Sequence, residues 1–137
     1  MNRTDFQQLA EVRLLEARAL LSAGFPDGAY YLAGYAVECA LKARIANRTQ
    51  QFDFPDKDFV QKIYTHKLTD LMKWSESLST LQNAIQSEPR LQDWWTTVQE
   101  WSEESRYKRW SIIEAERLLD AIENQSGGVF PWIRLHW

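Results

Sequence analysis

Ala29-Tyr30-Tyr31-Leu32-Ala33-Gly34-Tyr35-Ala36-Val37-Glu38-Cys39-Ala40-Leu41-Lys42-Ala43 is the stretch that decides the fold of this chain. Read as part of a helix from about Pro26 to about Asn47, it lays Ala33, Gly34, Val37, Ala40 and Leu41 on one face. Most of these groups are small, so a second helix can approach closely. Tyr31, Tyr35, Glu38 and Lys42 fall at i, i+4, i+7 and i+11 and form a separate stripe, in which Glu38 to Lys42 is the favourable i, i+4 charge order. Almost no side of this helix is purely polar. It belongs at the centre of a bundle or in a subunit interface.

Working outward, the flanks carry helical punctuation. Upstream, Phe6, Ala10, Leu14, Ala17 and Leu21 recur at helical spacing behind a Thr4…Gln7 capping box. Ser22-Ala23-Gly24-Phe25-Pro26 ends that helix: Gly24 takes the left-handed turn, Phe25 folds back on the last turn, and Pro26 cannot continue it. Downstream, Asn47 to Pro55 reads as a loop, Asp56 as the cap of a short helix to Tyr64, and Thr65 as the cap of the next, with Leu68, Leu71 and Met72 inward. Ser79 to Ser87 is a weaker helix. Pro89 opens another, with Leu91, Trp94, Val98 and Trp101 on its buried stripe. Ser102 to Trp110 is a polar bend, and Ser111-Ile112-Ile113-Glu114 is a capping box for a final core helix that Gly127-Gly128 stops. The expected architecture is all-α: an up-and-down bundle of five or six helices over residues 1–126, followed by an apolar tail, 127–137, packed on the bundle or on a partner.

Size and composition narrow the function classes. The chain has 137 residues, 45% hydrophobic and 26% charged, enough for one domain with a real core. A net charge of -3 argues against bulk polyanion binding, so any nucleic-acid contact must come from a local basic patch. Cys39 is the only cysteine, which excludes an internal disulfide and a cysteine-based metal site. No metal, cofactor or membrane span is expected, and the polar start predicts a cytoplasmic home. Walker, glycine-rich phosphate-loop and Gly-x-Ser-x-Gly sequences are absent, so NTPase and hydrolase readings have no motif behind them.

The Ala29–Ala43 stretch resembles the second helix of the HEPN superfamily of prokaryotic helical-bundle proteins. Thr65-His66-Lys67-Leu68-Thr69-Asp70-Leu71 is similar to the "T-H-D-L" helix start of small standalone members, and Arg106-Tyr107 falls where such members carry "R-Y" before the last core helix. The likeness spans about Leu9 to Ile122 and is most specific in the second helix. The resemblance implies a bundle that dimerises, often through its first helices and its active-site face. It also implies metal-independent ribonuclease or toxin activity in many members, and frequent pairing with a nucleotidyltransferase antitoxin.

The family cuts RNA with an Arg followed, after four to six residues, by a His. The Arg steadies the phosphate and the His transfers protons as the 2'-hydroxyl attacks phosphorus. Here the positions allowed from Arg106 hold Ser111, Ile112 and Ile113, and those from Arg109 hold Glu114, Ala115 and Glu116. Read backward, His66 would need Arg at Phe59, Val60 or Gln61, and His136 at Val129, Phe130 or Pro131. No such pair exists.

Arg106, Tyr107 and Arg109, with Lys108, could form a phosphate-binding patch beside the aromatic faces of Trp101 and Trp110; alternatively they form a solvated turn in which Arg106 pairs with Glu103, Glu104 or Glu38. His66 is a candidate acid or base that, in a first helical turn, would ordinarily be solvated or bonded locally. Glu38, if buried, needs a cationic partner, for which Arg106 and Lys42 are the candidates. Tryptophans at this spacing belong to the core more often than to a ligand platform. The leading expectation is a homodimeric HEPN-like module binding a nucleotide, RNA or a partner such as a nucleotidyltransferase. The alternatives are a diverged ribonuclease toxin with a rearranged Arg106/His66 site and a structural assembly protein using the tail.

Overall fold

The computed structural model describes residues 1–48, 57–75, 77–135 and 137, with the side chains of 58, 59, 62, 77 and 78 set aside. The expected loop from Asn47 to Pro55 and the Asp56 cap therefore lie almost wholly outside the described residues, and α2 runs on through Arg48. The fold is all-α. Its helices are α1 (Arg3–Ser22), α2 (Pro26–Arg48), α3 (Lys57–Ile63), α4 (Leu68–Trp74), α5 (Ser77–Ser87), α6 (Arg90–Val98), a 3-10 helix (Glu103–Tyr107), α7 (Ile112–Glu123) and α8 (Val129–Arg134). Short pieces, α8 among them, divide the bundle more finely than the five or six helices expected. Among the described residues no helix is long and apolar enough to cross a membrane.

The helix ends follow from local chemistry. At the start of α1 the cap is Asn2 rather than Thr4. Asn2 Oδ1 accepts the Asp5 amide at 2.9 Å and Asp5 Oδ2 accepts the Asn2 amide at 2.9 Å. Asparagine ranks above threonine at this position, which moves the box two residues upstream. At the other end Gly24 adopts φ +88°, its amide donates to the Leu21 carbonyl at 3.1 Å, and the Phe25 amide donates to the Leu20 carbonyl at 2.9 Å. These are the paired bonds of a Schellman turn. The backbone folds back as expected, while the Phe25 side chain stays exposed. Ser111 and Glu114 form the expected reciprocal box at the start of α7, each bond 3.1 Å long.

The short turn between α1 and α2 makes an antiparallel hairpin, the most extensive helix pairing in the molecule. Ala10, Leu14 and Ala17 on α1 are buried, as are Ala29, Ala33, Ala36, Val37, Ala40 and Leu41 on α2. Alanines put little bulk between the two axes, so the backbones lie close and dispersion contacts are dense. α2 also packs against α4, α7, α8 and the 3-10 helix, which makes it the central element. After Gly128, the segment 129–134 is helical, and Val129, Phe130, Trp132 and Ile133 are buried with the rest of the core.

One contact fixes how the bend between α6 and α7 sits on α2. The Trp101 indole lies directly over Gly34, where an added Cβ atom would come within 2.2–2.3 Å of Cγ, Cδ1 and Cδ2 of the ring. Trp101 is buried and stacks on Tyr31 with centroids 5.9 Å apart. Nine residues on, Trp110 stacks on Tyr30 at 3.7 Å, its indole N–H donates to the Ser105 carbonyl at 3.1 Å, and its amide donates to Asp27 Oδ1. The bend is thus clamped to α2 at both ends. Gly34→Ala is expected to lower the unfolding free energy by about 1–3 kcal/mol through overpacking. At Gly28 an added Cβ would meet only the mobile end of Leu20, at 3.1 Å, so Gly28→Ala should stay within about 1 kcal/mol of wild type. Urea unfolding of the two variants checks the contrast.

Candidate functional site

Glu38 lies four residues beyond Gly34 on α2 and is 2% exposed. A carboxylate so placed needs compensation, because burying an unpaired charge is costly. The expectation from sequence assigns its cation to Arg106 or Lys42. The structure pairs it with Lys42, whose Nζ lies 3.8 Å from Oε2, and adds a closer partner that the expectation did not assign: His66 Nδ1–H donates to Glu38 Oε1 at 2.7 Å. Arg106 is not a partner of Glu38 at all.

His66 reaches α2 because of where α4 begins. Thr65 does not cap that helix. Its hydroxyl accepts the Lys67 amide at 3.1 Å, the N-cap position falls on Lys67, and the helix starts only at Leu68. His66 therefore sits in the extended link 65–67 rather than in a first helical turn, and its ring is free to cross to α2. The ring is about half exposed. With Nδ1 committed to Glu38, Nε2 is the nitrogen left for the surroundings, in the way that a carboxylate fixes the tautomer of a working histidine.

Glu103, at the start of the clamped 3-10 helix, stands against that nitrogen. Its Oε2 is 3.6 Å from His66 Nε2, and its Oε1 is 3.7 Å from Arg106 Nη2. Arg106 lies over the Tyr107 ring at 4.8 Å. Tyr107 first, and then Glu103 and Tyr31, keep the pKa of the Arg106 guanidinium above its ordinary value. The order of strengths is clear. A charge-assisted bond on a buried carboxylate contributes about 1.5–3 kcal/mol, whereas exposed pairs near 3.7 Å contribute about 0–1 kcal/mol. The Glu38–His66 pair is fixed; Glu103 is exchangeable.

His66 and Glu103 border an open cleft of about 560 Å³, within the size range of small-molecule sites. His66, Lys67, Trp101 and Glu103 line it together with Glu100 and Glu104. Trp101 is buried, yet its indole nitrogen has no hydrogen-bond partner among the described residues. Among the described residues no group of three or more His, Cys, Asp or Glu side chains is arranged to hold a metal ion.

The structure thus brings Glu38, Lys42, His66 and Arg106 into one connected cluster, with Tyr107 carrying Arg106. Arg109 is exposed, and no bond among the described residues ties it to the cluster. The aromatic platform expected around Arg106 is mostly spent: Trp101 is covered by Gly34 and Tyr31, and Trp110 by Tyr30. Only Tyr107 stays open, 76% exposed. The expected pairing of Arg106 with Glu103 is present, while two features went unread in the sequence, the Glu38–His66 pair and the approach of Glu103 to His66. The residues of the pair are 28 apart and on different elements, a separation for which helical periodicity has no rule. The need of a buried Glu38 for a partner was the one available signal.

Cys39, next to Glu38, is buried and free. Burial, and after it the Glu38 charge, push its thiol up to about 11; burial, then Cys39, push the Tyr35 hydroxyl up to about 12. At pH 8 a thiol with a pKa of 11 is thiolate in about one molecule per thousand. The folded chain should accordingly resist DTNB at pH 8, and the denatured chain should take up one equivalent. A double-mutant cycle on unfolding, with Glu38→Gln and His66→Ala, should return a coupling of about 1 kcal/mol or more. A coupling near zero would remove His66 as the partner of Glu38.

Comparison with family models, with curated proteins and with solved structures finds no match to this chain.

Proposed function

We propose that this chain is a HEPN-like helical-bundle module that binds a nucleotide-sized ligand in the cleft beside the Glu38–His66 pair. One observation carries the reading: the 65–67 link and the 3-10 helix put an imidazole, oriented by Glu38 of α2, and a carboxylate on the lining of a cleft of about 560 Å³, with the Arg106 guanidinium 3.7 Å from that carboxylate. A nucleotide supplies matching chemistry, with base and ribose groups for the hydrogen-bonding side chains and a phosphate for Arg106. An extended RNA strand fits less well. Glu100, Glu103 and Glu104 line the cleft, and serial phosphates would meet those charges.

Homodimerisation belongs to the same proposal. Val12 and Leu15, 46% and 61% exposed, lie with Ala19 on the outward face of α1, and Phe25 beyond its end is 63% exposed. Apolar groups of this size on one helix suit a second copy of the chain. A nucleotidyltransferase partner and a toxin–antitoxin setting rest on the sequence resemblance alone. The assembly-protein reading loses its proposed element, because Val129, Phe130, Trp132 and Ile133 are spent in the chain's own core.

A second reading, a diverged metal-independent ribonuclease, is favoured by the orientation of His66. Glu38 holds one ring nitrogen, so the other faces the cleft with Arg106 across Glu103, a pairing of proton-transfer and phosphate-binding groups. Both readings are open to experiment. Nucleoside monophosphates added to the full chain should raise its melting temperature and bind in calorimetry, with binding lost in His66→Ala. Light scattering should give twice the 16.1 kDa chain mass. Absence of both a dimer and any nucleotide response would overturn the binding reading, and RNA cleavage in EDTA that vanishes in His66→Ala and Arg106→Ala would install the second reading in its place.

A further inference from the structure

Glu103 occupies an unusual position for a side chain with so little holding it. Each of its carboxylate oxygens faces a different group, Oε2 toward His66 Nε2 at 3.6 Å and Oε1 toward Arg106 Nη2 at 3.7 Å. Both separations exceed hydrogen-bond length, and all three side chains are 38–46% exposed. Arg106 attracts the carboxylate, and His66 does so in its doubly protonated form, but the carboxylate is bonded to neither. Its carrier is a short 3-10 helix at the edge of the cleft, and an exposed side chain there turns in nanoseconds. The groups on either side of it are far better fixed. His66 is tied to buried Glu38 at 2.7 Å, and Arg106 is laid on the Tyr107 ring.

A planar oxyanion spanning an imidazole nitrogen and a guanidinium occupies the place that a ligand phosphate would take. We infer that Glu103 is the built-in occupant of an oxyanion subsite between His66 Nε2 and Arg106, displaced when a ligand puts a phosphate monoester where that carboxylate stands. Glu100 and Glu104 also line the cleft, which limits the fitting ligand to one phosphate group and disfavours a triphosphate or a strand. Glu103 thus sets both affinity and selectivity: a ligand must outcompete it, and a neutral nucleoside cannot.

This inference rests on the nucleotide-binding reading of the cleft, and one titration separates the two. Calorimetry is run on the full chain with adenosine 5'-monophosphate, adenosine and inorganic phosphate, for wild type, Glu103→Gln, Glu103→Ala and Arg106→Ala. Removing the competing charge should tighten the monophosphate roughly fivefold to tenfold in both Glu103 variants, leave adenosine unchanged, and fail to rescue binding when Arg106→Ala is added. Tightening of inorganic phosphate as well would show that the oxyanion alone is recognised; tightening of the monophosphate alone would show that the ester is. If wild type binds the monophosphate and neither Glu103 variant binds it more tightly, the displacement idea is overturned and the binding reading stands. If none of the four proteins binds any of the three ligands, both fall.

Discussion

The seating of Trp101 on Gly34 is the constraint from which the rest of the site follows. A residue with any side chain at position 34 would hold the indole off α2, because the ring occupies the volume of the missing Cβ. With the ring seated, the chain leaving α6 is pinned to the central helix. The second clamp, Trp110 on Tyr30 and Asp27, pins the same segment nine residues later. Between the two lies the 3-10 helix with Glu103 and Arg106. Glu38 is one helical turn beyond Gly34, so the seating that fixes the bend also sets it opposite the Glu38–His66 pair. Stability and site geometry are here the same contact.

Much of the fold was legible in the sequence, for a physical reason. Helix existence depends on periodicity and on local end chemistry, and both are written within a few residues, as at Ser111–Glu114 and Ser22–Pro26. Where two local choices competed, the reading slipped: Asn2 took the cap from Thr4, and Thr65 spent its hydroxyl on the Lys67 amide without starting a helix. That last slip mattered most. Placing His66 in a helical turn pointed it to solvent, whereas the extended link turns it to α2. The candidate residues were visible as types, but their pairing depends on contacts between α2, the 65–67 link and the bend. Such contacts obey no spacing rule.

The tryptophans show how one composition serves two ends. Their number suggested either a stacking platform or a core, and the structure spends Trp95, Trp101 and Trp132 on burial. Trp101 and Trp110 also act as fasteners, which leaves Tyr107 as the open ring near the cleft. Charge follows a similar economy. The basic residues of the bend are opposed by glutamates on the same segment, and the cleft is lined by Glu100, Glu103 and Glu104 against Lys67 and His66, so the surface lacks the field of a polyanion groove. Such a cleft selects by geometry and hydrogen bonding rather than by net attraction.

The central claim is that buried Glu38 orients His66 toward the cleft. Nitrogen-15 NMR of the imidazole side chains reads this directly. The account predicts an Nδ1–H proton of His66 shifted downfield and slow to exchange with water, lost in Glu38→Gln, while the Nε2 signal moves on addition of adenosine 5'-monophosphate. A His66 ring whose Nδ1 proton exchanges freely, or whose Nε2 signal ignores the nucleotide, would contradict it.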